Sequence, residues 1–376
     1  MRGLTPNSPK PFRLHVPDAA LADLRERLAR VRWPDEPPLP PWSTGASLAY
    51  LKELVRYWAD DFDWRAQEAA LINRFRQHTV MVGGIELHFI HEPGRGPNPV
   101  PLLLSHGWPG SIVEFHKLIP LLTERFTVVA PSLPGYTLSF KPGQARFGVV
   151  EIADLLAELM TGVLGYKKFA AQGGDWGAFV ASVLGWKYPE RLLGIHLNLL
   201  AVRRDPKAPA STAEERRYLE ELARFLKEET GYQWIQGTRP QTLAFALTDS
   251  PAGLAAWIAE KFHAWSDCGG NIENALTRDE MLANISLYWF TGAIGSSFWP
   301  YYARMHGPWP IPEGQTVDVP TAYAAFPKEI LRPPRSMAAR TYTNIRRWTE
   351  MKKGGHFAAL EQPQALADDI SAFFSA

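Results

Sequence analysis

Gly173-Gly174-Asp175-Trp176-Gly177 sets an acidic side chain among glycines at a spacing suited to nucleophilic chemistry. The pattern G-x-nucleophile-x-G marks a sharp strand-to-helix turn that exposes its central residue above a sheet. Its glycines let two backbones pass close beside that residue. An aspartate there can attack an electrophilic carbon and form an alkyl ester, which water must then cleave. No Gly-x-Ser-x-Gly occurs in the chain, which disfavours an ordinary serine esterase. The bland alternative is a glycine-rich turn with a helix N-cap aspartate, a role for which Asp is well suited.

Ester chemistry on Asp175 needs oxyanion donors, a base for water and a group that orients the base. Ser105-His106-Gly107-Trp108-Pro109-Gly110 follows an apolar stretch and can aim the Trp108 amide into the site. With the Trp176 amide it would form an oxyanion hole. His106 itself reads as a turn-stabilising histidine. The base is expected late in the chain, and His356 in Lys353-Gly354-Gly355-His356-Phe357 fits. Imidazole titrates near neutral pH and can take a proton from water. Glu329 is the choice for its carboxylate partner. Asp318 competes from the start of the preceding strand, and a solvated acid is the usual fate of a lone Glu.

Elements of the right kind surround these residues. Residues 78–82 and 85–90 flank Gly83-Gly84 and read as a hairpin. Val100-Pro101-Leu102-Leu103-Leu104 and Phe126-Thr127-Val128-Val129-Ala130 read as buried strands, with a helix over residues 112–122 between them. A helix over 149–163 precedes the elbow and a strand over 192–197 follows it. Alternating strands and helices predict an α/β protein with a mostly parallel sheet. Four regions follow: a helical extension over 1–77, core over 78–200, a helical lid over 201–314 and further core over 315–376. In the extension, Leu21, Leu24, Leu28 and Val31 recur at helical spacing, as do Leu48, Leu51, Leu54, Val55 and Trp58. Strands are expected at 317–323 and 345–349, and a closing helix at 363–374.

Composition narrows the classes. With 40 basic and 39 acidic residues among 376, no net field attracts nucleic acid or an anionic membrane. The one cysteine, Cys268, excludes an intramolecular disulfide and suits a reducing, cytoplasmic setting. Residues 1–11 are polar and proline-bearing, unlike a signal peptide. The 14 tryptophans and 19 phenylalanines suggest an aromatic-walled pocket for an apolar ligand, or simply aromatic packing.

Taken together, the motifs resemble the microsomal-type epoxide hydrolases, which include insect juvenile hormone epoxide hydrolases. The likeness runs from Phe12-Arg13-Leu14-His15-Val16-Pro17 and Arg32-Trp33-Pro34 through His106-Gly107-Trp108-Pro109-Gly110-Ser111 and the elbow. It continues through Asp249-Ser250-Pro251-Ala252-Gly253-Leu254-Ala255 to Gly354-Gly355-His356-Phe357-Ala358-Ala359. The resemblance implies an α/β-hydrolase fold with a helical lid and an N-terminal extension. It implies Asp175 as nucleophile, His356 as base and Glu329 as acid partner. It further implies two lid tyrosines that bind the epoxide oxygen, matched by Tyr232 and Tyr301, with Tyr302 and Tyr288 as rivals of the second. The expected partner is a small-molecule epoxide, with no metal or organic cofactor; a homo-oligomer stays open. The family's membrane-anchoring helix has no match, and the lid is expected to be shorter around Asp267-Cys268-Gly269-Gly270.

Two other readings keep a place. A haloalkane dehalogenase would use the same aspartate and histidine, with N–H donors such as Trp108 and Trp176 cradling halide. A non-catalytic member of the fold would only bind ligands.

Overall fold

The computed structural model describes residues 8–375 except 204, 206 and 208, so the polar start over residues 1–7 lies outside the described residues. The strands are Lys10–Phe12 (β1), Gln77–Val82 (β2), Ile85–Glu92 (β3), Val100–Ser105 (β4), Phe126–Pro131 (β5), Phe169–Gly173 (β6), Leu192–Leu197 (β7), Thr321–Ala325 (β8) and Ile345–Glu350 (β9). They form one sheet in the order β1-β2-β3-β5-β4-β6-β7-β8-β9. The first three strands are antiparallel, and from β5 to β9 every pairing is parallel. Parallel strands covered on both faces must be apolar throughout. Accordingly, every residue of β5, β6 and β8 is buried.

Helices cover the sheet in pairs, Val149–Glu158 with Asp175–Lys187, and Leu118–Leu122 with Pro363–Phe374. Between β7 and β8 the regular elements among the described residues are all helices, among them Gly231–Thr238, Pro251–Trp265, Arg278–Thr291 and Trp299–His306. The apolar faces expected near the N-terminus are real: Leu24 and Leu28 are buried on one helix, and Leu51, Leu54, Val55 and Trp58 on the next. Both helices pack against Pro251–Trp265, so the extension braces the insertion. Among the described residues, no helix is long and apolar enough to cross a membrane.

Three elements differ from the sequence reading. β1 is hidden in the sequence because it carries Pro11, which a strand tolerates here because it pairs at the sheet edge. The segment 112–122 is a 3-10 turn, Ile112–Phe115, followed by the short helix Leu118–Leu122. Pro120 lacks an N–H donor, so it fits the first turn of a helix but not the interior of a longer one. The strand expected from Val317 starts instead at Thr321. Val317 makes one isolated bridge to Tyr342, and Pro320 interrupts the ladder.

Candidate active site

β6 ends at Gly173 and the helix Asp175–Lys187 begins two residues later, which leaves Asp175 at the apex of the turn. Its φ of 45° lies in the left-handed region, an uncommon and strained conformation for a residue with a Cβ. The turn closes because Gly177 has no side chain: a Cβ there would come within 1.9 Å of the Ser105 carbonyl oxygen. Gly107 clears the opposite side, since its Cβ would meet Asp175 Oδ1 at 2.2 Å.

The turn after β4 delivers the Trp108 amide, which donates to Asp175 Oδ1 at 2.8 Å. Trp176 sits in the first turn of its helix, where backbone N–H groups have no intrahelical acceptor. His106 is buried and holds this turn together. Its Nδ1–H donates to the Gly107 carbonyl, and its Nε2 accepts from the Leu133 amide, both at 3.1 Å. Burial lowers its pKa to about 4, so it stays neutral, as a turn-stabilising histidine should.

His356 reaches Asp175 from the loop after β9, with Nε2 3.5 Å from Oδ2. Its Nδ1–H donates to Glu329 Oε1 at 2.7 Å, and both side chains are almost wholly inaccessible. Burial disfavours a charged imidazole, yet Glu329 and Asp175 together outweigh it and raise the His356 pKa well above its usual value. The two loops run side by side, bridged between Lys328 and Gly355. Asp318, the competitor of Glu329, spends its carboxylate on the hydroxyls of Thr316 and Thr343.

A second carboxylate braces the loop that carries His356. Glu361 accepts the amides of Asp267 at 2.7 Å, Gly355 at 2.9 Å and Phe357 at 3.0 Å. The His356 amide donates to Trp265 O at 2.9 Å, which ties this loop to the end of the helix Pro251–Trp265. Nothing about a glutamate five residues past His356 announced that role in the sequence.

Over Asp175 lie Tyr232 and Tyr301, both on helices between β7 and β8. Tyr232 stacks on Trp108 with ring centres 5.4 Å apart, and Tyr301 meets Trp176 edge-on at 4.8 Å. The tyrosine rings are 5.7 Å from each other and border one cavity of 430 Å³ with Asp175, Trp176, Phe179, Leu226, Met305 and Trp309. Burial first, then Tyr232 and Asp175, raise the Tyr301 pKa well above that of a free phenol, so it is a neutral donor. The rivals are engaged elsewhere. Tyr288 donates to Gly110 O at 2.7 Å, and Tyr302 is stacked against Trp299 and His306.

Comparison with known proteins shows the family. Residues 9–115 match the family described as epoxide hydrolase N terminus, and residues 100–235 match the alpha/beta hydrolase fold. The chain is 36% identical to epoxide hydrolase 1 of Oryctolagus cuniculus, over 99% of this chain and 90% of the relative. It belongs to the epoxide hydrolase family. Among solved structures, juvenile hormone epoxide hydrolase of the silkworm Bombyx mori superposes with a TM-score of 0.88 at 29% identity, covering 98% of this chain and 94% of that one. The Aspergillus niger epoxide hydrolase gives 0.85 at 32% identity, covering 98% and 97%. The α/β-hydrolase fold and the family resemblance are thus borne out. On the far side of Asp175 the sequence reading overlooked Glu114, Gln172 and Asn198, which line a second, smaller cavity with His356. An acid inside the apolar run Ile112-Val113-Glu114-Phe115 was the available signal for the first of them.

Proposed function

We propose that this epoxide hydrolase opens a bulky apolar epoxide, aryl or terpenoid in kind, through a covalent ester on Asp175. The observation that carries the proposal is one carboxylate, held in a strained turn, that borders two phenols and contacts a buried His–Glu pair. Oδ1 is occupied by the Trp108 amide, so Oδ2 attacks the less hindered epoxide carbon from behind. The carbon–oxygen ring bond breaks, its electron pair stays on oxygen, and Tyr232 and Tyr301 supply hydrogen bonds and a proton to that oxygen.

Ester formation removes the Asp175 charge, one of the two that hold the His356 proton. The His356 pKa therefore falls, its Nε2 proton passes to solvent, and neutral imidazole is available at the step that needs a base, while Glu329 keeps it oriented. Its Nε2 takes a proton from water, whose oxygen attacks the ester carbonyl carbon. The Trp108 and Trp176 amides hold the oxyanion, which collapses as the bond from the Asp175 carbonyl carbon to the alkoxide breaks; the alkoxide takes the proton from His356, the new Asp175 carboxyl returns one to the tyrosinate, and a vicinal diol leaves.

Haloalkane dehalogenation would use the same nucleophile but gives the tyrosine pair no proton to deliver. The reading also takes the enzyme as cytoplasmic and independent of nucleic acid. The decisive experiment is single turnover of styrene oxide in heavy-oxygen water, beside Asp175→Asn. One solvent oxygen should appear in the Asp175 peptide, and the variant should make no diol until its amide deamidates. Diol formation with an unlabelled peptide would exclude the ester.

A further inference from the structure

Among the described residues, Asp175 alone borders both active-site cavities. The lid-side cavity, at 430 Å³, suits an organic substrate. The cavity behind Asp175 measures only 20 Å³. A volume of that order holds a single water, for which about 10–15 Å³ suffices, provided polar partners are present.

Those partners exist. Trp108, Glu114, Gln172, Asn198, Asp175 and His356 all contribute to the wall. Gln172 Nε2 donates to Asn198 Oδ1 at 2.8 Å, while Gln172 Oε1 is buried with no hydrogen-bond partner. A buried carbonyl oxygen of that kind is costly unless a donor reaches it, and an enclosed water is the usual one. Glu114 plays no part in the ester chemistry described above, yet it comes from the 3-10 turn Ile112–Phe115 to the same wall. Its carboxyl lies where a side chain at position 110 would otherwise be: a Cβ on Gly110 would fall 1.3 Å from Glu114 Oε1. Asn284 and Tyr288 fix that turn by donating to Pro109 O at 2.8 Å and Gly110 O at 2.7 Å.

We propose that this small cavity holds the water of the second half-reaction, and that Glu114 orients it toward the ester carbon while His356 takes its proton. The inference rests on the ester reading and assigns each half-reaction its own side of Asp175: epoxide from the lid, water from the sheet. Burial raises the Glu114 pKa to about 8, with His356 opposing and Asp175 reinforcing the rise. At neutral pH the carboxyl is therefore mostly protonated and can both donate to and accept from a water. His106, Tyr288, His356 and Asp175 are the titratable groups around it, and Asp175 carries no charge while esterified.

The test separates the two half-reactions with styrene oxide, reading ester formation by tryptophan fluorescence and the adduct by intact-protein mass. Gly110→Ala is the sharpest variant, because the atom in its way is the far end of the flexible Glu114 side chain rather than backbone. Gly110→Ala and Glu114→Ala should slow ester hydrolysis roughly 10- to 100-fold, as a misplaced reactant does, and slow ester formation far less. The adduct should accumulate. Glu114→Gln should recover about tenfold over Glu114→Ala at pH 7 and lose the wild-type decline in hydrolysis above about pH 8. That arm holds even if the alanine variant folds poorly. Hydrolysis within twofold of wild type in both alanine variants, or an unchanged pH profile in Glu114→Gln, would overturn the assignment. Failure of the ester reading itself would register separately, as wild-type diol formation that leaves the Asp175 peptide unlabelled.

Discussion

Replacing Glu329 by glutamine removes one charge from the His356 pair and keeps the side chain's shape. The pair is 2.7 Å apart, with side-chain exposures of 2% for His356 and 0% for Glu329, so water screens it poorly. At an effective dielectric of about 20, two unit charges at that distance attract by roughly 6 kcal/mol. In the ester, where Asp175 no longer holds the His356 proton, imidazolium forms only as water is deprotonated, and the glutamine oxygen can still accept from Nδ1–H, so about half of that attraction is a reasonable loss. Some 3 kcal/mol corresponds to about a hundredfold in the rate of ester hydrolysis. Ester formation, in which His356 passes no proton, should change much less. The alkyl ester on Asp175 would then accumulate under substrate excess, visible by intact-protein mass after acid quench. Losing an anionic neighbour lowers the His356 pKa, so the acid limb of the hydrolysis profile should also move to lower pH. A loss below about threefold, or an equal loss in both half-reactions, would refute the role given to Glu329.

Tyr232→Phe and Tyr301→Phe should each slow ester formation by roughly 10²-fold, the usual contribution of a positioned proton donor. The double variant should abolish epoxide opening; the check is diol release from styrene oxide beside halide release from 1-bromobutane, and halide release by the wild type would favour the dehalogenase. A separate prediction concerns the seam between core and lid. Glu280 caps the helix Arg278–Thr291 and accepts from His116 at 2.7 Å, with Lys117 Nζ 2.6 Å away. Burial opposes its ionisation, but His116, Lys117 and the Thr277 amide prevail and lower its pKa to about 2. A lowered folded-state pKa gives stability that is present above the unfolded value of about 4.3 and lost as pH falls toward 2. The wild type should therefore melt higher than Glu280→Gln at pH 7, with the gap closing between about pH 4.5 and 2. A gap that is constant across that range would show that the charge of Glu280 is not what counts.

Asp175 could be read from sequence because everything that exposes it is local: an apolar strand, glycines flanking the turn and a helix, all within a few residues. His356 and Glu329 followed from their order along the chain, since a parallel sheet delivers the loops after successive strands to one edge. The lid tyrosines were a matter of resemblance. Tyr301 and Tyr302 are adjacent and equally aromatic in context, and only the rotation of the helix Trp299–His306 decides which ring meets Trp176. Packing likewise decided that Tyr288, on Arg278–Thr291, spends its hydroxyl on Gly110 O. The brace of Glu361 on the base loop and the second wall of Asp175 were out of reach for the same reason. Glu114, Gln172, Asn198 and His356 come from four separate segments, and no periodicity records that they meet. Local sterics write the exposed aspartate into five consecutive residues; the cavities on either side of it exist only where distant elements fail to fill space.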